Sequence, residues 1–143
     1  MRDLPGLKEV LSVQCEVHRK LLAQEEEKTR LLLVGDAEKL IPLLNDQQAL
    51  LMQSRELEKQ RNAICLGLGY KTLRELVESS EEFKALFGAI FEELSTIVTA
   101  LKKKCVLNKR LLETRLGTIR YLLNQSGMDS GAKTYTKDVS LRG

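Results

Sequence analysis

The sequence predicts an all-α fold: an elongated antiparallel bundle of three long helices plus one short connecting helix, with a flexible C-terminal tail. Three observations carry this. Pro occurs only twice in 143 residues, whereas Leu, Glu, Lys, Arg, Gln and Ala, which lose little on entering a helix, are abundant. An apolar seam then runs through one uninterrupted stretch, from Ser80 to Gln125, at steps of three or four: Phe83, Phe87, Ile90, Leu94, Ile97, Leu101, Cys105, Asn108, Leu112, Leu116, Ile119 and Leu123. Finally, capping residues and glycines stand at the points where such helices would begin and end. The long stretch spans about 65 Å at the α-helical rise. Its apolar face is too long to bury alone, so other helices, or another chain, must lie along it.

The first helix is predicted to open at Asp3, with Pro5 in the first turn, and to run to Val34. Val10, Val17, Leu21, Leu31 and Leu32 share one side, but Gln14, His18, Glu25 and Lys28 fall among them, which makes this stripe narrower and wetter. Gly35 is expected to close the helix as a left-handed cap, and Asp36 to cap the next. Pro42, six residues past Asp36, would remove an internal hydrogen bond, so the sequence predicts a short turn at Ala37 to Ile41 and a second helix from Pro42 to about Leu66. Its seam is Leu43, Gln47, Leu50, Ser54, Leu57, Arg61, Ile64 and Leu68. The alternating polar positions lower stability and help to fix register. Thr72 with Glu75 reads as a capping box over a short helix carrying Leu73, Leu76 and Val77, and Ser79 with Glu82 as a second box opening the long helix. The bundle is expected over residues 1–126, and residues 127–143 as a flexible tail that orders only on a partner.

Composition limits the chemistry. The net charge of +3 is small and its signs are interspersed, so no nucleic-acid partner is expected. Lys102, Lys103, Lys104, Lys109 and Arg110 cluster beside the seam, without interleaved aromatics, and read as a solvated helix face. Cys15, Cys65 and Cys105 are odd in number and far apart, and read as small core residues of a reduced, cytosolic protein. No segment has the run of apolar residues that a bilayer span requires. Gly67 and Gly69 lack the preceding strand and the Gly-Lys-Ser sequence of a phosphate loop and read as helix-ending signals. The only histidine, His18, is followed by Leu21 and Leu22. A phosphotransfer helix would place a lysine and then a small residue there, so His18 reads as a partly buried or surface residue. Phe83, Phe87 and Phe91 are spaced by four and are expected to pack under the short helix. No catalytic constellation, cofactor, metal cluster or small-molecule substrate is indicated, which leaves binding as the function.

Four segments, in order, resemble the FlgN family of flagellar export chaperones. They are the turn Gly35-Asp36-Ala37-Glu38-Lys39-Leu40, the helix end Leu57-Glu58-Lys59-Gln60-Arg61 with Leu66-Gly67, the piece Leu107-Asn108-Lys109-Arg110-Leu111-Leu112, and the tail Gly131-Ala132-Lys133-Thr134-Tyr135. The tail departs from the family pattern in Thr136-Lys137-Asp138. The resemblance implies a cytosolic chaperone that binds hook-filament junction proteins, prevents their premature assembly and delivers them to the flagellar type III export apparatus, meeting the membrane only through that apparatus. The expected protein-binding residues are Asn108, Leu112, Leu116, Ile119, Tyr121, Leu122 and Leu123 on the long helix and Tyr135, Val139 and Leu141 in the tail. The alternative is a structural coiled coil that forms a homodimer or joins a scaffold.

Overall fold

The computed structural model describes residues 3–126. Four helices follow in order: α1 (Leu4–Val34), α2 (Ala37–Gly67), α3 (Leu73–Glu78) and α4 (Glu81–Gln125). α2 and α4 each pack along α1, and the short α3 lies against the start of α4. The chain runs up, down and up, so α1 and α4 point the same way and α2 runs against them. The expected tail, with Tyr135, Val139 and Leu141, lies outside the described residues.

The caps set these boundaries. Asp3 accepts from the Gly6 backbone N–H at 3.0 Å. At the other end of α1, Gly35 has φ +75°, and Gly35 N–H and Asp36 N–H both bond to the Leu31 carbonyl. Asp36 then accepts from Lys39 N–H at 3.2 Å to open α2. α2 differs from the sequence expectation. It begins at Ala37 and continues through Pro42 without a separate turn. Pro42 deprives the Glu38 carbonyl of its partner, but both residues are exposed, so water can satisfy that carbonyl and the helix carries the proline.

Thr72 opens α3 by accepting from Glu75 N–H at 3.1 Å, and the Glu75 carboxylate reaches back to Lys71 N–H at 3.2 Å. The second box is displaced by one residue from the expectation. Ser79 keeps helical dihedrals and ends α3, its hydroxyl donating to the Leu76 carbonyl at 2.6 Å. The extended residue, which a helix N-cap requires, is Ser80, and it accepts from Phe83 N–H at 3.1 Å.

The core is thickest at the α3 end. Leu7, Leu11 and Cys15 of α1, Cys65 of α2, Leu76 of α3 and Phe83 and Phe87 of α4 are all buried in one cluster. Tyr70 meets Phe83 edge-on with ring centroids 6.2 Å apart. Arg74 of α3 lies over the half-buried Phe91 ring at 5.3 Å, so the expected aromatic strip is core for two of its three members and a cation seat for the third. A second cluster of Val10, Val17, Leu21 and Leu57 continues between α1 and α2. Every expected α2 seam position from Leu43 to Leu68 is buried or half-buried.

Candidate functional site

Beyond Leu21 the interior turns polar. Glu25 of α1, Gln47 of α2 and Asn108 of α4 are 4%, 7% and 3% exposed, and together they form a layer joining the three long helices. Lys28 Nζ lies 2.7 Å from the Glu25 carboxylate and donates to Gln47 Oε1 at 2.7 Å. Gln47 Nε2 returns a bond to Glu25 at 3.1 Å. Burial pushes the Glu25 carboxyl up, but the hydrogen bonds from Lys28, Gln47 and Cys105, with the Lys28 charge, outweigh it and hold the group below its ordinary range. Asn108 Nδ2 donates to the Glu25 carbonyl at 2.8 Å, and its Oδ1 accepts from the Thr29 hydroxyl at 2.6 Å. The layer is therefore a satisfied network, with α4 bolted to α1 through Asn108.

Cys15 and Cys65 are buried, as expected, but Cys105 is exposed. Its thiol nevertheless turns toward Glu25. Partial burial and the bond to that carboxylate push it up to about 11, so it stays protonated and unreactive at neutral pH. Cys105 stands at the wall of an open groove whose other side is lined by Leu40 and Leu44 of α2, so no side chain closes over it.

Past the polar layer lies the point where α1 ends and α4 does not. Arg115 Nε donates to the Leu32 carbonyl and Nη2 to the Leu33 carbonyl, both at 2.9 Å. These are carbonyls that the last turn of α1 leaves without helical partners, and a cation there also opposes the helix dipole. Arg115 so fixes the level at which α4 leaves the bundle. Residues 116–125 project for about 15 Å beyond it.

The seam keeps its apolar residues over this projection. Leu112 is 42%, Ile119 48%, Tyr121 62% and Leu122 60% exposed, while Leu116 and Leu123 are half-buried. Two grooves flank the crossing. One, of about 290 Å³, is walled by Leu32 of α1, Leu40 and Leu44 of α2 and Leu112 of α4, with Lys28, Asn108 and Lys109 toward its polar end. The other, of about 370 Å³, lies between Leu32 and Leu33 on one side and Leu111, Thr118, Ile119 and Leu122 on the other. Leu33 and Val34 add 63% and 66% exposed apolar side chains at the same end. Contiguous exposed apolar surface of this kind marks an interaction site. Glu25, Lys28 and Cys105 also line the first groove, where they are bonded to one another within the polar layer.

Residues 1–143 match the family model described as FlgN protein. The chain belongs to the FlgN family. This is a family of flagellar export chaperones, not of enzymes. Searches of curated proteins and of solved structures gave no match.

Of the residues that the FlgN resemblance marks for protein binding, the structure brings Leu112, Leu116, Ile119, Leu122 and Leu123 together on one end of α4. Tyr121 is on the same turns but points away from the seam by helical spacing. Asn108 is buried and its amide is fully engaged with Thr29 and Glu25. Sequence reasoning missed Arg115 and Thr29. Neither has a local signal, since their partners lie 82 and 83 residues away for Arg115 and 79 for Thr29. The remaining candidates fall into place around them. His18 is half-buried with Nδ1–H donating to the Gln14 carbonyl at 2.7 Å, and Lys102, Lys103, Lys109 and Arg110 are exposed. Among the described residues, no helix is long and apolar enough to cross a membrane.

Proposed function

We propose that this chain is a cytosolic chaperone of hook-filament junction proteins, which it shields from premature assembly and delivers to the flagellar type III export apparatus. The reading rests on membership of the FlgN family and on one structural observation. The α4 seam continues past the end of α1, so an amphipathic helix is left with its apolar stripe in solvent beside two grooves. A client whose terminal helices pack only in the assembled filament carries the complementary stripe. Helix-on-helix packing covers both. Leu112, Leu116, Ile119, Leu122 and Leu123 are the contacts, and Tyr135, Val139 and Leu141 of the tail close over the client.

Purified full chain and a copy ending at Gln125 are each used to capture partners from a flagellated cell extract, with mass spectrometry as the readout. The expected result is a hook-filament junction protein on the full chain and its loss from the shorter copy, with helicity by circular dichroism unchanged. Retention by both copies removes the tail from the site. Capture of no flagellar protein by either, with a self-associated chain, replaces the chaperone by a structural coiled coil.

A further inference from the structure

The charge of the chain is unevenly placed. From Lys102 to Gln125, α4 carries seven cations, Lys102, Lys103, Lys104, Lys109, Arg110, Arg115 and Arg120, against the single carboxylate Glu113, in a chain whose net charge is only +3. The rest of the chain is therefore net acidic. Arg115 is engaged with α1. Lys109 and Arg120 are different. Both are exposed, and neither has an ion-pair partner among the described residues. Helical spacing puts them on one edge of the open stripe: Lys109 is seven residues before Leu116, and Arg120 is four after it and three before Leu123. Lys109 also borders the groove walled by Leu40, Leu44 and Leu112. Glu113 falls between the two cations, farther round toward solvent. The opposite edge of the stripe carries Arg115, already bonded to α1, with Leu111 and Leu122, and beyond them Thr118, its hydroxyl donating to the Thr114 carbonyl.

We infer that the open end of α4 selects a partner helix with acidic residues along the flank facing Lys109 and Arg120. This rests on the proposed chaperone reading and adds to it the charge pattern of the client. The geometry is that of the flanking positions of a coiled coil, where charges beside an apolar seam choose the partner and its orientation. A helix fits better than an anionic membrane. Lys109 borders a concave groove with α2 as one wall, and Lys109 and Arg120 flank the stripe on one edge only, whereas a membrane-bound helix presents a convex apolar face with cations on both margins.

The probes are two fluorescent designed peptides with one shared apolar heptad seam, one with Glu and the other with Lys at the flanking positions. They are titrated into the full chain, into Lys109→Glu/Arg120→Glu and into Leu112→Ser/Ile119→Ser. At about 0.1 M salt, where charges act over about 10 Å, the Glu peptide is expected to bind about five- to tenfold more tightly than the Lys peptide, and the advantage to vanish near 1 M. The double charge variant is expected to reverse the preference. Lys109→Gln/Arg120→Gln, which introduces no repulsion, is expected to abolish it. Equal binding of both peptides, lost in Leu112→Ser/Ile119→Ser, overturns the acidic-flank inference and leaves the chaperone reading standing. Peptide binding untouched by Leu112→Ser/Ile119→Ser overturns both. Sedimentation with phosphatidylglycerol vesicles, lost in the charge variants while neither peptide binds, replaces the helix by a membrane surface.

Discussion

Replacing Asn108 by Ala tests whether the polar layer is the device that holds α4 on α1. The substitution removes two hydrogen bonds, from the Thr29 hydroxyl at 2.6 Å and to the Glu25 carbonyl at 2.8 Å, at a position 3% exposed. Each net bond contributes about 1 kcal/mol, and the vacated side-chain volume adds to the loss. One compensation is built in. The Thr29 oxygen also lies 3.0 Å from the Glu25 carbonyl, so its proton can turn there once Oδ1 is gone. The expected cost is about 2–3 kcal/mol, a fall in melting temperature of about 6–12 °C for a domain of this size. Thr29→Val leaves Oδ1 buried and unpaired and costs about 1–2 kcal/mol. Because the two residues share one bond, the double variant should lose less than the sum of the singles, by about 1 kcal/mol. Urea and thermal unfolding followed by circular dichroism provide all four values. A change under about 0.5 kcal/mol for Asn108→Ala, or strict additivity, refutes the reasoning.

Three further outcomes follow from the same geometry. The Glu25 carboxyl is held below its ordinary 4.5, so the stability it contributes is complete above that value and is lost as pH falls through the lower folded value; Glu25→Gln should flatten this acid limb in pH-dependent urea melts. Gly35→Ala should cost about 1–2 kcal/mol, because φ +75° is strained for an L side chain and the new Cβ would stand 2.8 Å from an Arg115 guanidinium nitrogen; calorimetry of the variant checks it. Pro42→Ala restores a donor to the Glu38 carbonyl within an unbroken helix and should stabilise the fold by about 1–3 kcal/mol, read as a raised urea midpoint.

Much of the fold was legible because its signals are local. The Gly35-Asp36 turn, the Thr72 cap and the alternating polar seam of α2 each depend on residues within one or two turns, and the structure keeps all three. The misread points have physical causes. Pro42 signals a break, yet the cost of passing through it is one carbonyl in water. Ser79 and Ser80 are chemically alike, and only their dihedrals, helical for the first and extended for the second, decide which of them caps. Cys105 sits on the seam by spacing, and it is exposed because the groove it shares with Leu40 and Leu44 of α2 stays open. At the candidate site, periodicity located the apolar stripe from Leu112 to Leu123 but could not tell where its cover stops. That boundary is set by Arg115 reaching the last carbonyls of α1, a contact across more than eighty residues of chain. The same reasoning could not separate Asn108, which is locked inside, from the leucines that stand open beside it.

The central claim is that the projecting end of α4 is where the client helix lies. The most direct test is amide hydrogen exchange of the full chain, with and without a purified hook-filament junction protein, read by mass spectrometry at peptide resolution. The account predicts that residues 112–125 exchange rapidly in the free chain, because their side chains have little cover, and become strongly protected on binding, while the α3 end is unchanged. Client binding that protects the outer face of α2 or the start of α1, and leaves residues 112–125 exchanging as before, would contradict it.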